Sequence, residues 1–206
     1  MARYSKYSIA FALLLGVGLQ TSGTQASDMQ TSDIQTSDIQ TSERRTLHRE
    51  GMEWSQWQVV GEAQLSWLFF DIYRSQLLAP DGRYRQDDDV TPHPIALKIT
   101  YQRSISRQQL LDATLDQWQE MGFDKETRHR WIATLYDIFP DVDEDHQLIY
   151  VTDGSTGTFY SLVPKQPMKA VGHIEDEMLN DGFLSIWLGR NSQFPDLRSQ
   201  LIGMNR

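Results

Sequence analysis

The chain has 206 residues, no cysteine and a formal net charge of −9. Without cysteine there is no disulfide framework and no thiolate chemistry. An acidic balance with no basic stripe argues against nucleic acid and anionic membranes as partners.

Arg3 and Lys6 make a short basic start, followed by an apolar run from Ile9 to Leu19. Small residues then lead to Thr24-Gln25-Ala26, which suits the −3 and −1 positions of a signal peptidase site. The pattern predicts a signal peptide over residues 1–26, cut after Ala26, and an exported, periplasmic protein. The apolar run is short of the roughly 20 residues that span a bilayer. No stable membrane anchor is therefore expected after cleavage, and with no cysteine following the run a lipid anchor is not expected either. Cleavage removes two basic residues and no acidic one, which leaves the mature chain at −11.

Residues 27–42 repeat the five-residue unit T-S-D-I-Q, with Met29 as one variation. No helix or strand has that period. The unit is too polar to offset its ordering entropy by burial. A disordered polar tether is expected over residues 27–50, and one domain over residues 51–206. A domain of about 150 residues can bury an adequate core without staples. Six Trp, eight Tyr and eight Phe supply material for it.

Trp54 and Trp57 are expected to open a strand that continues through Val59, Val60 and Gly61. Ala63, Leu65, Trp67 and Phe69 then alternate with Gln64, Ser66 and Leu68, the strand period. A second strand is expected over Asp71–Leu78, with a turn at Pro80-Asp81-Gly82. Gln86–Pro94 is polar and reads as loop. Ile95, Leu97, Ile99 and Tyr101 alternate with Ala96, Lys98, Thr100 and Gln102, the cleanest strand in the chain.

Two helices follow. Ser106 with Gln109 three residues on is a capping-box pattern. Leu111, Leu115 and Trp118 form an apolar stripe that ends at Gly122, a helix-stopping glycine. Asp124–Phe139 is a second helix with Ile132, Leu135, Tyr136 and Phe139 as its stripe and Pro140 as its stop. Leu148–Thr152 and Thr158–Val163 form a hairpin around Asp153–Gly157, and Ala170–Ile174 is a last short strand. Leu179, Phe183, Ile186 and Trp187 mark a helical face ending at Gly189. Pro195 suits the first turn of a closing helix that ends at Gly203. Strands, helices, strands and helices in segregated runs predict an α+β fold: an antiparallel β-sheet with helices packed on one face.

The motifs of common chemistries are missing. The acidic run Asp141–Asp145 puts His146 and Thr152 where a calcium loop needs Gly and Glu. His48, His93, His129, His146 and His173 have no metal-ligand spacing, so no metal site is expected. There is no GxSxG, no Walker loop and no GxGxxG, so no cofactor is expected. What remains is aromatic. Tyr73, Tyr101, Trp118, Trp131, Tyr136 and Trp187 fall on expected core faces. Such rings form plain core, or they line an apolar cavity with a few polar tips.

Several segments in order resemble the bacterial chalcone-isomerase-like proteins, exported relatives of chalcone isomerase and its fatty-acid-binding homologues. They are Gly61-Glu-Ala-Gln-Leu-Ser-Trp-Leu-Phe-Phe-Asp-Ile-Tyr73, Leu77-Leu78-Ala79-Pro80-Asp81-Gly82 and Leu97-Lys-Ile-Thr-Tyr101. Trp118 with Gly122-Phe123, Ile138-Phe139-Pro140-Asp141-Val142 and Ile186-Trp187-Leu188-Gly189 complete the set. The resemblance implies an open-faced β-sandwich with a cleft between sheet and helices. In the plant enzymes that cleft binds a flavonoid, and a strand arginine drives its cyclisation. Here the corresponding strand reads Val60-Gly61-Glu62-Ala63-Gln64, with no arginine. The strand hydroxyl has a counterpart in Tyr73. The helical tyrosine and asparagine find only Ser106, Leu110, Ala113 or Gln117, and the late threonine is replaced by Ile186. The missing arginine would have stabilised a developing oxyanion, usually the largest catalytic contribution. Chalcone isomerisation is therefore not expected.

Three functions stay open. The favoured one is a non-catalytic binder of a small apolar ligand such as a fatty acid, with Tyr73, Tyr101, Trp118 and Trp187 as ligand-binding residues. If the helix carrying Trp118 folds back over the sheet, Trp118 and Tyr101 face one layer. The second is an isomerase or lyase acting on a small hydrophobic or phenolic substrate through Tyr73, Tyr101 or Arg103. The third is an interaction protein with a filled core.

Overall fold

Strand alternation and two helical stripes assemble into a sheet with helices laid on one face. The computed structural model describes residues 54–67, 70–85 and 89–204. The signal peptide and tether expected over residues 1–50 lie outside the described residues, as do Leu68 and Phe69.

Six strands make one sheet: β1 (Gln58–Trp67), β2 (Phe70–Ala79), β3 (Ile95–Tyr101), β4 (Gln147–Thr152), β5 (Gly157–Leu162) and β6 (Lys169–Ile174). They lie side by side in chain order, each antiparallel to the next. Between β3 and β4 the chain inserts α1 (Arg107–Glu120) and α2 (Lys125–Ile138); α3 (Glu177–Leu188) and α4 (Pro195–Leu201) follow β6. The α+β architecture expected from the segregated pattern is the one observed.

Helix starts agree with their caps. The Ser106 hydroxyl accepts from the Gln109 N–H, and the Gln109 side-chain Oε1 accepts from the Ser106 N–H at 2.8 Å. Asp124 caps α2 by accepting from the Thr127 N–H at 3.0 Å. These bonds satisfy donors that the first helical turn leaves open.

Register defines the faces. Leu77, Leu97, Tyr150 and Phe159 stand in one row across β2–β5, and all four are buried. Residues two apart along each strand share that face. It is the face covered by helices: Gly61 of β1 lies against the Gln200 and Leu201 carbonyls of α4.

Three expectations change. Trp54 and Trp57 do not open a strand: Trp54–Gln56 is a 3-10 turn and β1 starts at Gln58. The turn lets Trp54 fold onto the outer face, where it packs with Leu78, Ala96, Ile149 and Tyr160. The buried stripe of α2 is Trp131, Leu135 and Ile138, not one containing Tyr136. Tyr136 is 52 % exposed because its ring lies under the Arg107 guanidinium instead of in the core. On α1 the buried residues are Leu110, Leu111, Thr114 and Trp118, while Leu115 is half-buried.

Candidate functional site at the sheet–helix seam

The alternation of β2 turns Tyr73, Ser75, Leu77 and Ala79 inward and leaves Arg74 exposed. Register sets Tyr73 opposite Tyr101 of β3. The two rings meet edge to face, with centroids 6.3 Å apart. From α3 the Trp187 indole N–H donates to the Tyr73 hydroxyl at 3.0 Å. All three side chains are buried. Trp187 then meets Phe183 at 5.1 Å, and Phe183 meets Tyr150 at 5.2 Å and Phe159 at 5.0 Å. Aromatic rings thus form a continuous seam between sheet and helix. Edge-to-face packing places positive ring edges on negative ring faces, and each such pair contributes about 0.5–1.5 kcal/mol beyond its buried area.

Burial raises the Tyr73 hydroxyl well above the ordinary phenol range, a rise the Trp187 N–H partly offsets. Burial raises Tyr101 as well, and the neighbouring Tyr73 adds to it. Both remain neutral O–H groups at any physiological pH. Tyr73 already accepts from Trp187, so its own proton is left to donate. Among the described residues neither hydroxyl has an acceptor for its proton. Among the described residues no cationic side chain sets the ionisation of either group.

Trp118 does not join this trio. It is fully buried, donates to the Gly182 carbonyl at 2.7 Å and meets Trp131 edge-on at 5.1 Å. Trp131 in turn meets Phe123 at 5.1 Å. Trp118 therefore sits in the contact among α1, α2 and α3. That contact is close because Gly182 has no side chain: a Cβ there would stand 2.5 Å from the Trp131 ring. Arg103 is exposed, with its guanidinium 5.8 Å from the centre of the Phe70 ring.

Two polar groupings on the seam were not anticipated. Asp145 adopts φ 64°, and the Tyr101 N–H donates to the His146 carbonyl at 3.0 Å while the Asp145 N–H donates to Tyr101 at 2.8 Å. This bulge sets His146 across from Tyr101. Its Nε2 lies 2.7 Å from the Ser161 hydroxyl. Burial lowers the His146 pKa, and Asp143 partly counters that. The signal was available: His146 stands two residues before Leu148 and four before Tyr150, on the inward parity of β4.

At the other end of α3, Asn180 is fully buried and accepts from the Tyr150 hydroxyl at 2.8 Å. Its amide donates to the Thr91 hydroxyl at 3.0 Å and to the Gly154 carbonyl at 3.1 Å. Thr91 also bonds Asp181, whose carboxyl is raised by burial. Asn180 stands three residues before Phe183 and seven before Trp187, so a polar residue on the apolar stripe was its sequence mark. No group of three or more metal-ligating side chains comes together among the described residues.

Fold and seam define an open-faced α+β sandwich whose layers meet through buried rings and neutral hydroxyls. Residues 53–203 match the chalcone isomerase-like family, and the chain belongs to that family. It is 24 % identical over 152 residues to an uncharacterized protein of Haemophilus influenzae, covering 74 % of this chain and 71 % of that one. Its structure is similar to the crystal structure of a fatty-acid binding protein of Arabidopsis thaliana, with a TM-score of 0.51. That likeness covers 71 % of this chain and 86 % of the other at 11 % identity, so it is a likeness of fold.

Proposed function

We propose that the protein is a non-catalytic binder of a small apolar ligand such as a fatty acid, held with its polar end at Tyr73 and Tyr101. One observation carries this: two buried tyrosines meet edge to face in an apolar seam, with no acceptor for either hydroxyl proton among the described residues. Apolar walls with a few aimed polar groups are the usual make-up of such sites. The fold neighbour named as a fatty-acid binding protein adds support. Raised hydroxyl pKa values, with no cation among the described residues contributing to them, favour holding over proton transfer or oxyanion stabilisation. The test is native mass spectrometry of protein purified from its own compartment. A co-purified lipid, lost in a Tyr73→Phe, Tyr101→Phe double variant that still folds, is the expected result.

A second reading has its own support. The contacts from Tyr101 through Trp187 to Phe159 are those of a well-filled core, which suits an interaction protein. Lipid-free protein in the same experiment would favour it.

Export to the periplasm belongs to the proposal, on the strength of the basic start, apolar run and small residues before Ser27. N-terminal analysis of the mature protein should begin at or near Ser27. An intact Met1 on membrane-embedded material would defeat it.

A further inference from the structure

We infer that the polar end of the ligand is uncharged where it meets the site, a hydroxyl, carbonyl, ester or protonated carboxyl, and that the site discriminates against ionised carboxylates. The inference rests on the binding reading above and adds the chemical class of the guest.

It follows from where the cations go. Parity along β2 and β3 points Arg74 and Lys98 to the outer face, opposite Tyr73 and Tyr101. Arg74 donates to Gln64 on that face at 3.3 Å. Arg103, just past the end of β3, lies outside over Phe70. Arg198 of α4 donates to the Leu188 carbonyl at 2.6 Å. On β1, Gly61 lies against α4, where the Gln200 and Leu201 carbonyls leave no room for a side chain of any kind. What meets at the seam is Tyr73, Tyr101 and Trp187, with His146, whose pKa burial lowers, across from Tyr101.

Burying an ionised carboxylate away from water is strongly penalised unless an opposite charge stands beside it. Here no such charge stands beside it among the described residues, and the formal charge of the whole chain is −9. A hydroxyl, ketone or ester oxygen escapes that penalty. It can still accept from both phenol O–H groups, whose protons find no acceptor among the described residues.

The experiment titrates the mature chain with n-octanol, methyl octanoate and octanoic acid by calorimetry at about pH 6, 7 and 8. All three share one alkyl chain and differ at the head. Octanol and the ester should bind with no dependence on pH, since the tyrosine hydroxyls stay protonated throughout. Only the neutral form of the acid should bind, so its apparent affinity should fall about tenfold for each unit of pH. Tyr101→Phe should weaken octanol about fivefold, the loss of one hydrogen bond. Octanoate that binds at about pH 8 as tightly as octanol, or with no pH dependence, overturns the inference and leaves the binding reading standing. If none of the three binds, the binding reading fails and this inference fails with it.

Discussion

The Trp187 indole N–H donates to the Tyr73 hydroxyl at 3.0 Å, joining the C-terminal half of α3 to the second strand of the sheet. Both partners are buried, so the indole N–H and the Tyr73 oxygen each exchange water for the other. Tyr73→Phe strands the indole N–H, and Trp187→Phe strands the Tyr73 oxygen. Each should cost about 1–3 kcal/mol, with some added loss of packing for Trp187. The double variant should cost less than the two summed, by about 0.5–1.5 kcal/mol, in a urea-denaturation cycle. Strict additivity would mean that the bond contributes nothing to stability.

Trp118 lies with Trp131 and Gly182 in the helix–helix contact, away from the tyrosine pair. Trp118→Ala should cost about 3–5 kcal/mol, the usual loss for a buried ring. Affinity for octanol, measured per folded molecule, should not change. A fall in affinity with stability intact would place Trp118 in the binding site.

Stability should depend on pH through His146. Burial lowers its pKa in the folded chain, while the unfolded chain takes the proton near the ordinary value of about 6.5. The neutral imidazole therefore contributes its full share above that value, and the share is lost as pH falls from there toward the lower folded pKa. The urea midpoint should drop between about pH 7.5 and 5.5, and His146→Gln should shrink the drop. An equal drop in the variant would assign the effect to other groups.

Chalcone-to-flavanone cyclisation should not rise above background with purified protein. Burial sets the ionisation of Tyr73 and Tyr101, with Trp187 acting on Tyr73 and Tyr73 on Tyr101, and no cation among the described residues contributes to stabilise a developing oxyanion. A stereoselective acceleration of about a thousandfold, roughly 4 kcal/mol in barrier, would show that another group performs that step.

Fold class was legible in the sequence because it depends on local periods, and the family was legible through the resemblance of ordered segments. The alternation of Ile95–Tyr101, the Ser106–Gln109 box and the stripe through Phe183 and Trp187 each report on a few neighbouring residues. Segregation of strands from helices then left few architectures. The pairing of Tyr73 with Tyr101 needed β2–β3 register, and the Trp187 bond joins residues 114 positions apart. Nothing local encodes such a distance. Trp118 shows the limit most plainly. Its stripe said that it would be buried, and it is, but whether it met the sheet or another helix turned on Gly182 letting α3 close against Trp131. Sequence determined which faces are apolar, because hydrophobic periodicity is local. Only the tertiary structure decided which faces meet, because side-chain volume at the crossings sets how close two elements can come.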